Sequence, residues 1–418
     1  MKDAVLCVDI GSTSLKAAYM ADSPKSIAYA RCNFSKDEPQ FLANQWIPAL
    51  KECLEELKEK SPQTGIEAIC ISGNGPTVVD SEGLTLMWSQ KISTTVKDSK
   101  SQWISRLDGF RKLYPQQWFK SKHFFGAPEF LIYCLTGNVV TILPEERFKE
   151  IYWTQEQLKS EGFSDEEINK LPPFVAPGTL AGKVTREAAM QTGLLEGTLV
   201  FCGAPDFIVA LIGTDTLETS KLCDRSGSSE GINLCTPFPI ESPNVRVVPS
   251  IIPGMWNASV LIADSGKRFA DFKEKTEREL NTKITHKNII AQLTGKTDEK
   301  QILTEKQKKD GMAIIHDVTH QLWAAVNILK KAASEASIPV PTEMTITGGQ
   351  ALNEIWTQLK CDSLCLPIIV TECVDAELVG DNILARIALG DYDSIEEAAF
   401  ALVKKAKTYT PSIPADFS

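Results

Sequence analysis

Residues 4–16 read AVLCVDIGSTSLK, an apolar run that turns at Asp9 into a loop of small polar residues and ends in Lys16. A short continuous apolar run is typical of a buried strand, and KAAYMADSP (residues 16–24) continues it as a second strand after the turn. We therefore predict a β-hairpin that opens on a polar loop.

That loop offers the groups with which proteins hold a magnesium-bound nucleotide. Gly11, Ser12 and Thr13 present amides and hydroxyls suited to phosphate oxygens. Lys16 carries a neutralising charge, and Asp9 can orient a hydrated magnesium ion. A polar hairpin turn accounts for the same residues, because short Gly/Ser/Thr motifs often occur by chance. The loop alone leaves both interpretations open.

Outward from this hairpin, apolar periodicity predicts alternating strands and helices. Apolar residues recur on one side of residues 45–60, as in an amphipathic helix, and IEAICISG (66–73) is another buried strand ending at a glycine. The charged stretch 273–309 lacks strong periodicity and is predicted to be a solvated surface segment. The further predicted elements are helices within 100–140 ending at Gly137, a loop region over 165–184, the strand TLVFCGAPD (198–206), the helix FIVALIGTDTL (207–217), a strand pair over 221–235, a long helix over 307–336, the strand MTITGG (344–349) and the helix GDNILARIALG (380–390).

Length and charge limit the kinds of protein this chain can be. Its 418 residues are too many for one ordinary core and enough for two α/β domains, which we predict over residues 1–220 and 221–418. The 44 Lys and Arg against 54 Asp and Glu give a net charge of -10. A nucleic-acid partner is therefore not expected, because binding its phosphates requires a basic surface.

Composition also predicts the compartment. No apolar stretch approaches membrane-spanning length, and acidic residues around the first apolar run argue against a signal peptide. The eleven cysteines lie mostly in apolar stretches, which suits a reducing environment. We predict a cytoplasmic protein without a membrane partner, and the sequence leaves a homodimer open.

Three further sites follow predicted strands. A second small-residue loop, DRSGSSEG (224–231), opens the second half of the chain, and two such loops suggest one nucleotide held between domains, without a Walker-type motif. Gly348 and Gly349 follow MTIT and would let a flat ring approach the backbone, although an ordinary strand-to-helix turn explains them equally. Asp206 ends a buried strand, where α/β folds usually place reacting groups, but it also suits a helix N-cap.

Five segments in this order resemble the FGGY carbohydrate kinases. They are DIGSTSLKA, GTLVFCGAPDFIVALIGT, DRSGSSEGI, TITGGQALNEIWTQL and DAELVGDNILARIALGD. The resemblance spans most of the chain, which is shorter than typical members, and it is thin over residues 90–180 and 235–310. It implies an α/β fold of two actin-like (ribonuclease H-like) domains flanking a nucleotide and substrate cleft.

Carried over position by position, the resemblance implies ATP and Mg²⁺ as cofactors and a small-molecule sugar or polyol as partner. The matched positions are Asp9 for the metal, Gly11, Ser12, Thr13 and Lys16 for the first phosphate loop, Gly227, Ser228 and Ser229 for the second, Gly348, Gly349 and Asn353 for the adenosine side, and Asp206 for the catalytic base. The implied reaction is ATP-dependent phosphorylation of a hydroxyl of a sugar, polyol or sugar acid, with Mg-ATP between the domains. Asp206 would accept the proton of that hydroxyl.

The implied substrate-binding positions are where this chain departs from the family. They are Asn74, Trp88, Asp206 and Phe207. Only Asn74 remains of the polar groups that usually follow the strand 66–73, and Phe207 stands where Gln or Asn is common. Because a site that hydrogen-bonds a hydroxyl discriminates strongly, we do not expect xylulose, gluconate or glycerol as the substrate.

Two other functions compete with a kinase. A pseudokinase or nucleotide-dependent sensor would bind ATP without turning over a sugar, and the altered substrate positions favour it. Retention of Asp9, Lys16, Gly227 and Asp206 argues against it, because a costly buried carboxylate needs a reason to persist. An actin-like filament or activator ATPase would share the fold only, and the Gly-Ala-Pro-Asp element at 203–206 argues against it.

Overall fold

The computed structural model describes residues 3–96, 101–297 and 300–412. The strands are β1 (Ala4–Ile10), β2 (Ser14–Met20), β3 (Ser26–Asn33), β4 (Ile66–Gly73), β5 (Val78–Asp80), β6 (Thr85–Leu86), β7 (Phe124–Phe125), β8 (Thr141–Ile142), β9 (Phe174–Val175), β10 (Leu180–Lys183), β11 (Leu199–Pro205), β12 (Leu222–Ser226), β13 (Glu230–Thr236), β14 (Arg246–Pro249), β15 (Trp256–Ile262), β16 (Met344–Thr347), β17 (Ile368–Thr371) and β18 (Lys405–Tyr409). The helices are α1 (Trp46–Lys60), α2 (Gln102–Leu113), α3 (Pro115–Lys120), α4 (Ala127–Thr136), α5 (Lys149–Tyr152), α6 (Gln155–Ser160), α7 (Asp165–Ile168), α8 (Arg186–Thr192), α9 (Asp206–Gly213), α10 (Ser265–Leu280), α11 (His286–Thr294), α12 (Glu305–Glu335), α13 (Glu354–Leu364), α14 (Ala376–Ala388) and α15 (Ile395–Leu402), with 3-10 turns at Pro39–Gln45, Glu146–Phe148 and Gly349–Leu352.

These elements divide into two compact units. The first unit contains the described residues as far as Gly213 together with Glu377–Leu402. The second contains Thr214–Ala376 together with the described residues from Val403 onward. The first break lies a few residues before the predicted boundary at 220, and the return of 377–402 to the first unit is a feature that a single boundary does not provide.

A six-stranded sheet in the order β10-β11-β4-β1-β2-β3 forms the centre of the first unit. β1 and β2 are the predicted hairpin, with Asp9 opposite Lys16. β4 runs parallel to β1, and β11 runs parallel to β4. Every residue of β1 is buried, as its continuous apolar run predicts for a strand covered on both faces. Three neighbouring parallel strands therefore end at one edge of this sheet.

Helix α1 covers one face of that sheet. The predicted apolar side of this helix is confirmed, because its buried residues share one core cluster with alternate residues of β1. Those helix residues are Trp46, Leu50, Cys53, Leu54 and Leu57. Helix α4 joins the same cluster and ends at Gly137, whose φ of 74° provides the left-handed C-cap that the sequence predicts.

The second unit repeats this arrangement on a seven-stranded sheet in the order β14-β15-β13-β12-β16-β17-β18. β12 and β13 form the predicted antiparallel pair, and β16 runs parallel to β12. This is the same relation that β2 and β4 have to β1. The long helix α12 packs its apolar side onto the sheet, where Leu322 and Leu329 share a cluster with Ile232 and Leu234.

The prediction of a solvated segment over residues 273–309 was wrong. Helix α10 ends inside this stretch and α11 lies wholly within it. Five of its apolar residues are buried in a separate core cluster that includes Trp356. They are Ile284, Ile289, Ile290, Leu293 and Leu303. The many charged residues on the outer surface of these helices obscure the apolar pattern. Residues 298 and 299 of this stretch lie outside the described residues.

Residues 165–184 also contain more regular structure than the predicted loop. Helix α7 begins with a capping box, in which Ser164 and the side chain of Glu167 bond each other's backbone amides. β10 pairs antiparallel with β11 at the edge of the first sheet. Each of these two elements is only four residues long, which is too short for a periodic apolar pattern to be recognised. The prolines in this stretch also favour the prediction of a loop.

The eleven cysteines carry thiols and form no disulfides, and most are buried, as expected of small apolar side chains. Across the described ranges, no helix combines the length and apolar character required to span a bilayer.

Candidate functional site

The ends of β1, β4 and β11 place the first group of candidate residues at one edge of the sheet. Asp9 is in register with Ser72, and Gly73 is in register with both Ile10 and Pro205. Because these strands are parallel, the residues that follow them lie at the same edge, where α/β sheets usually bind ligands. The first phosphate loop, Asn74 and Asp206 therefore belong to one region of the first unit.

Lys16 lies between two carboxylates. Its Nζ is 3.7 Å from Oδ2 of Asp9 and 3.5 Å from Oε2 of Glu377, which is on helix α14. Asp9 itself is only 3% exposed. The predicted phosphate-neutralising lysine is thus already held by an acidic partner on each side. Glu377 was not selected from the sequence, although it belongs to the DAELVGDN segment that carries part of the family resemblance.

Asp381 is a second buried carboxyl group near this edge. Its Oδ2 accepts a hydrogen bond from Ser72 Oγ at 2.8 Å. A Cβ at Gly203 would lie 2.5 Å from Asp381 Oδ1, so only glycine leaves room for this side chain. Burial raises the pKa of Asp381 well above its ordinary value, and the charges of Asp9 and Glu377 add to the rise despite the opposing Ser72 hydrogen bond. Asp381 is therefore harder to ionise than an exposed aspartate.

Asp206 is the first residue of helix α9 and directly follows β11. It is half-buried, as is Phe207 after it. The Phe207 ring lies 6.5 Å from the ring of buried Phe148, measured between centroids. A carboxylate at a helix N-terminus is stabilised as an anion. This position suits both sequence interpretations, a helix cap and a proton acceptor.

The substrate-binding candidates Asn74 and Trp88 have their polar atoms engaged within the protein. Asn74 Nδ2 donates to Ile10 O at 2.9 Å, and its Oδ1 accepts from Thr77 Oγ1 at 2.5 Å. Trp88 Nε1 donates to Ser12 Oγ at 2.8 Å. Asn74 therefore fastens its loop to the end of β1, and Trp88 joins the predicted acceptor region to the first phosphate loop.

The second phosphate loop connects β12 to β13 in the second unit. Gly227 and Ser228 are exposed, while Ser229 is half-buried. The start of helix α10 supports this loop, because Lys267 N donates to Ser228 O at 3.0 Å and Asp264 N donates to Ser229 Oγ at 3.2 Å. The start of α10 therefore fixes the backbone of this loop, while Gly227 and Ser228 at its tip stay exposed to a ligand.

The adenosine-side candidates follow β16. Gly348 has a φ of 88°, and a Cβ there would lie 2.6 Å from Ser226 O, so this backbone approaches the second phosphate loop closely. Gly349 is exposed, with no atom within 4 Å of the position that a Cβ would take. Asn353 caps helix α13, since its Oδ1 accepts from Trp356 N at 3.1 Å and its Nδ2 donates to His286 O at 3.3 Å.

These loops fit a magnesium nucleotide in the chemistry of their donors. Exposed Thr13, Gly227 and Ser228 offer amides or hydroxyls for phosphate oxygens, and open space over Gly349 leaves room beside the backbone. Within the described part of the chain, no group of three or more His, Cys, Asp or Glu side chains is arranged to hold a metal ion. Asp9 alone is consistent with magnesium, which usually keeps several waters and binds substrate phosphates with one or two carboxylates.

Sequence comparisons find distant relatives. No family model matches the chain. An autoinducer-2 kinase from Yersinia enterocolitica is 24% identical over 283 residues, and one from Escherichia coli is 24% identical over 275 residues. Each match covers 58% of this chain and 52% of the relative. The chain thus spans about half the length of the curated relatives it matches.

Structural comparisons cover nearly the whole chain. A ligand-bound xylulose kinase from Lactobacillus acidophilus has a TM-score of 0.75 at 17% identity, over 98% of this chain and 94% of that one. A gluconate kinase from the same organism has a TM-score of 0.76 at 16% identity, over the same shares. The glycerol kinase of Plasmodium falciparum with ADP has a TM-score of 0.73 at 14% identity, over 99% and 95%. The predicted α/β fold of two domains is confirmed by these likenesses.

Proposed function

We propose that this chain, a short and divergent relative of the FGGY carbohydrate kinases, transfers the γ-phosphate of ATP to a hydroxyl of a sugar, polyol or sugar acid. The autoinducer-2 kinases are distant relatives of this chain, and the solved sugar and glycerol kinase structures share its fold. One observation carries the proposal furthest: the ends of parallel β1 and β11 bring Asp9 and Asp206 to one edge of the first sheet. That arrangement supplies a carboxylate for magnesium and a separate carboxylate for the acceptor proton.

In this proposal Asp206 is the general base. It accepts the proton of the acceptor hydroxyl as the hydroxyl oxygen bonds to phosphorus and the bond to ADP breaks. It is the first residue of α9 and directly follows β11, at the sheet edge that also carries the first phosphate loop. Mg-ATP supplies the transferable phosphoryl group when bound.

The phosphate loops have separate roles. Gly11, Ser12, Thr13 and Lys16 would hold phosphate oxygens from the first unit, with Asp9 for magnesium. Gly227, Ser228 and Ser229 would do so from the second unit, beside Gly348, Gly349 and Asn353 for adenosine. Preorganised donors of this kind offset charge on the transferring group without reorganising during the reaction. Binding of one nucleotide by both sets of loops stays a prediction, as do a cytoplasmic location and a homodimer.

A sensor that binds ATP without sugar turnover is the second candidate. The engagement of Asn74 favours it, because both polar atoms of this amide already have protein partners. Phe207 adds an aromatic ring where a polar side chain would contact a sugar. Both features reduce the number of polar side chains that could hydrogen-bond a sugar acceptor.

A coupled ADP-release screen over ketoses, aldoses, polyols and sugar acids separates the two candidates. The panel includes autoinducer-2, because the curated relatives are autoinducer-2 kinases. We expect one acceptor class to raise ADP release above the background of ATP alone, with a product heavier by one phosphoryl group. Nucleotide binding without release on any acceptor would support the sensor instead.

A further inference from the structure

A fully buried lysine lies beneath the second phosphate loop. Lys360, on helix α13, has no exposed surface. Its Nζ donates to Asp224 Oδ2 at 2.9 Å, to Ser226 Oγ at 3.2 Å and to Glu230 Oε2 at 3.1 Å. An ammonium group has three donors, so all of them are used here. The three acceptors lie on both strands that flank Gly227, Ser228 and Ser229, so Lys360 joins the two sides of the loop from below.

The same cluster extends to the predicted adenosine side. Glu230 Oε1 accepts a hydrogen bond from Gln350 Nε2 at 2.6 Å. Gln350 directly follows Gly348 and Gly349, and Gly348 approaches the Ser226 carbonyl closely. One carboxylate, that of Glu230, thus connects the lysine under the phosphate loop with the loop after β16.

Stability alone does not explain this ionic cluster. Burial of an ion pair costs several kcal/mol of desolvation, and well-packed apolar side chains of similar volume are often as stable or more stable. Although burial lowers the pKa of Lys360, the charges of Asp224 and Glu230 raise it overall, so the lysine stays charged. Apolar side chains could not fix the orientation of Asp224, Ser226 and Glu230. The three hydrogen bonds from Lys360 do so.

We propose that Lys360 is a positioning residue for nucleotide binding, and that Gln350 transmits its effect to the Gly348–Gly349 backbone. Lys360 acts through Asp224, Ser226 and Glu230 to hold the second phosphate loop in its binding shape. It does not touch nucleotide itself, because it is fully buried. The inference rests on the proposed function, since it assigns nucleotide to these loops.

The test is the affinity for MgADP, measured by isothermal titration, in wild type and in Lys360→Met. Methionine removes the ammonium group and keeps an unbranched side chain. We expect MgADP binding to weaken roughly tenfold or more. We also expect the KM for ATP to rise while the KM for the acceptor found in the screen stays near the wild-type value.

Arg386→Met is the matched control. Arg386 is also fully buried and cationic, but it lies in the first unit, where it binds Asp391 at 3.0 Å and the Met20 carbonyl at 3.4 Å. It should lower the melting temperature as Lys360→Met does and leave MgADP affinity unchanged. A loss of MgADP affinity in Arg386→Met equal to that in Lys360→Met would overturn the proposal, because general destabilisation would then explain both.

Gln350→Met keeps the proposal testable if Lys360→Met does not fold. It removes only the amide that donates to Glu230, and we expect it to weaken MgADP binding roughly threefold or more with the fold retained. Wild-type affinity in a folded Gln350→Met or Lys360→Met variant overturns the positioning role. Absence of MgADP binding by the wild type is a different result, because it overturns the proposed function and this inference with it.

Discussion

Glu129 is a carboxyl group enclosed at the start of helix α4. It is 3% exposed, and its Oε1 accepts a hydrogen bond from Ile142 N at 2.9 Å. Burial raises the pKa of Glu129 from 4.5 to about 7. The folded state therefore retains this proton to a higher pH than the unfolded chain. Its contribution to stability is fully present below pH 4.5 and is lost as the pH rises through about 7.

Glu129→Gln should remove this pH dependence. Glutamine keeps an oxygen for the Ile142 amide but carries no charge that must be buried. The difference in free energy of unfolding between variant and wild type should grow from near zero at about pH 4 to on the order of 3 kcal/mol at about pH 8–9, in favour of the variant. Urea unfolding across this pH range measures it, with exposed Glu55→Gln as the control. Parallel pH profiles for wild type and Glu129→Gln would show that Glu129 is ionised in the folded state.

The hydrogen bond from Trp88 Nε1 to Ser12 Oγ joins two loops of the first unit. One loop follows β1 and is predicted to hold phosphate, and the other follows β6 and is predicted to contact the acceptor. Trp88 N also donates to Thr77 Oγ1 at 3.2 Å, so the tryptophan backbone is fixed independently of its ring nitrogen. The side-chain bond can therefore be removed without releasing the loop.

Trp88→Phe should lower kcat several-fold with little change in melting temperature, because the ring remains while the bond to the phosphate loop is lost. Ser12→Ala removes the same bond from the other side. In a double-mutant cycle, we expect the two effects on kcat to be non-additive, with a coupling free energy on the order of 1 kcal/mol. Fully additive losses would mean that the two residues act separately.

Elements with strong local signals could be predicted from the sequence. The two hairpins and helix α1 follow from continuous apolar runs and one amphipathic stretch, because burial of those faces dominates their energetics. Helix α11 was missed, since its buried residues stand among charged ones. Helix α7 was missed too, although the Ser164 and Glu167 capping box is a local signal that could have revealed it.

In the candidate site, the sequence predicts which residues take part better than it predicts which residues they contact. Asp9, Lys16 and Asp206 were selected from residue types after strands. The partners of these residues could not be predicted in the same way, because Glu377 reaches Lys16 on β2, and Asp381 reaches Ser72 on β4, only through the return of α14 to the first unit. Such contacts join residues more than 300 positions apart, and no local pattern encodes them. The role of Lys360 could not be predicted either, because a lysine in a helix normally indicates an exposed face.

Helix α14 depends on one glycine for its packing in the first unit. A Cβ at Gly380 would lie 2.0 Å from the carbonyl oxygen of Val209, in helix α9, which follows Asp206. Backbone atoms on both sides leave little room for adjustment. The helix that supplies Glu377 and Asp381 thus packs in direct backbone contact with the helix that begins at the proposed base.

Gly380→Ala should therefore destabilise the protein by roughly 1–3 kcal/mol, even though alanine favours helix formation. Gly109→Ala is the control, because the three atoms nearest to a Cβ there all belong to the side chain of Ile92 and not to backbone. Chemical unfolding should show the Gly380 variant below wild type and the Gly109 variant near it. Equal stability of both variants would contradict the close packing of α14 on α9.

We propose that this chain acts as a kinase with Asp206 as its base. The direct measurement is phosphorylated product, detected by mass at saturating MgATP and acceptor, for wild type and Asp206→Asn. Asparagine also caps helices well, so the variant should keep the fold and the MgADP affinity. We predict that kcat falls roughly 10²–10⁴-fold, the usual contribution of positioned acid–base catalysis. Product formation by Asp206→Asn at the wild-type rate would contradict the account and leave Asp206 as a helix cap.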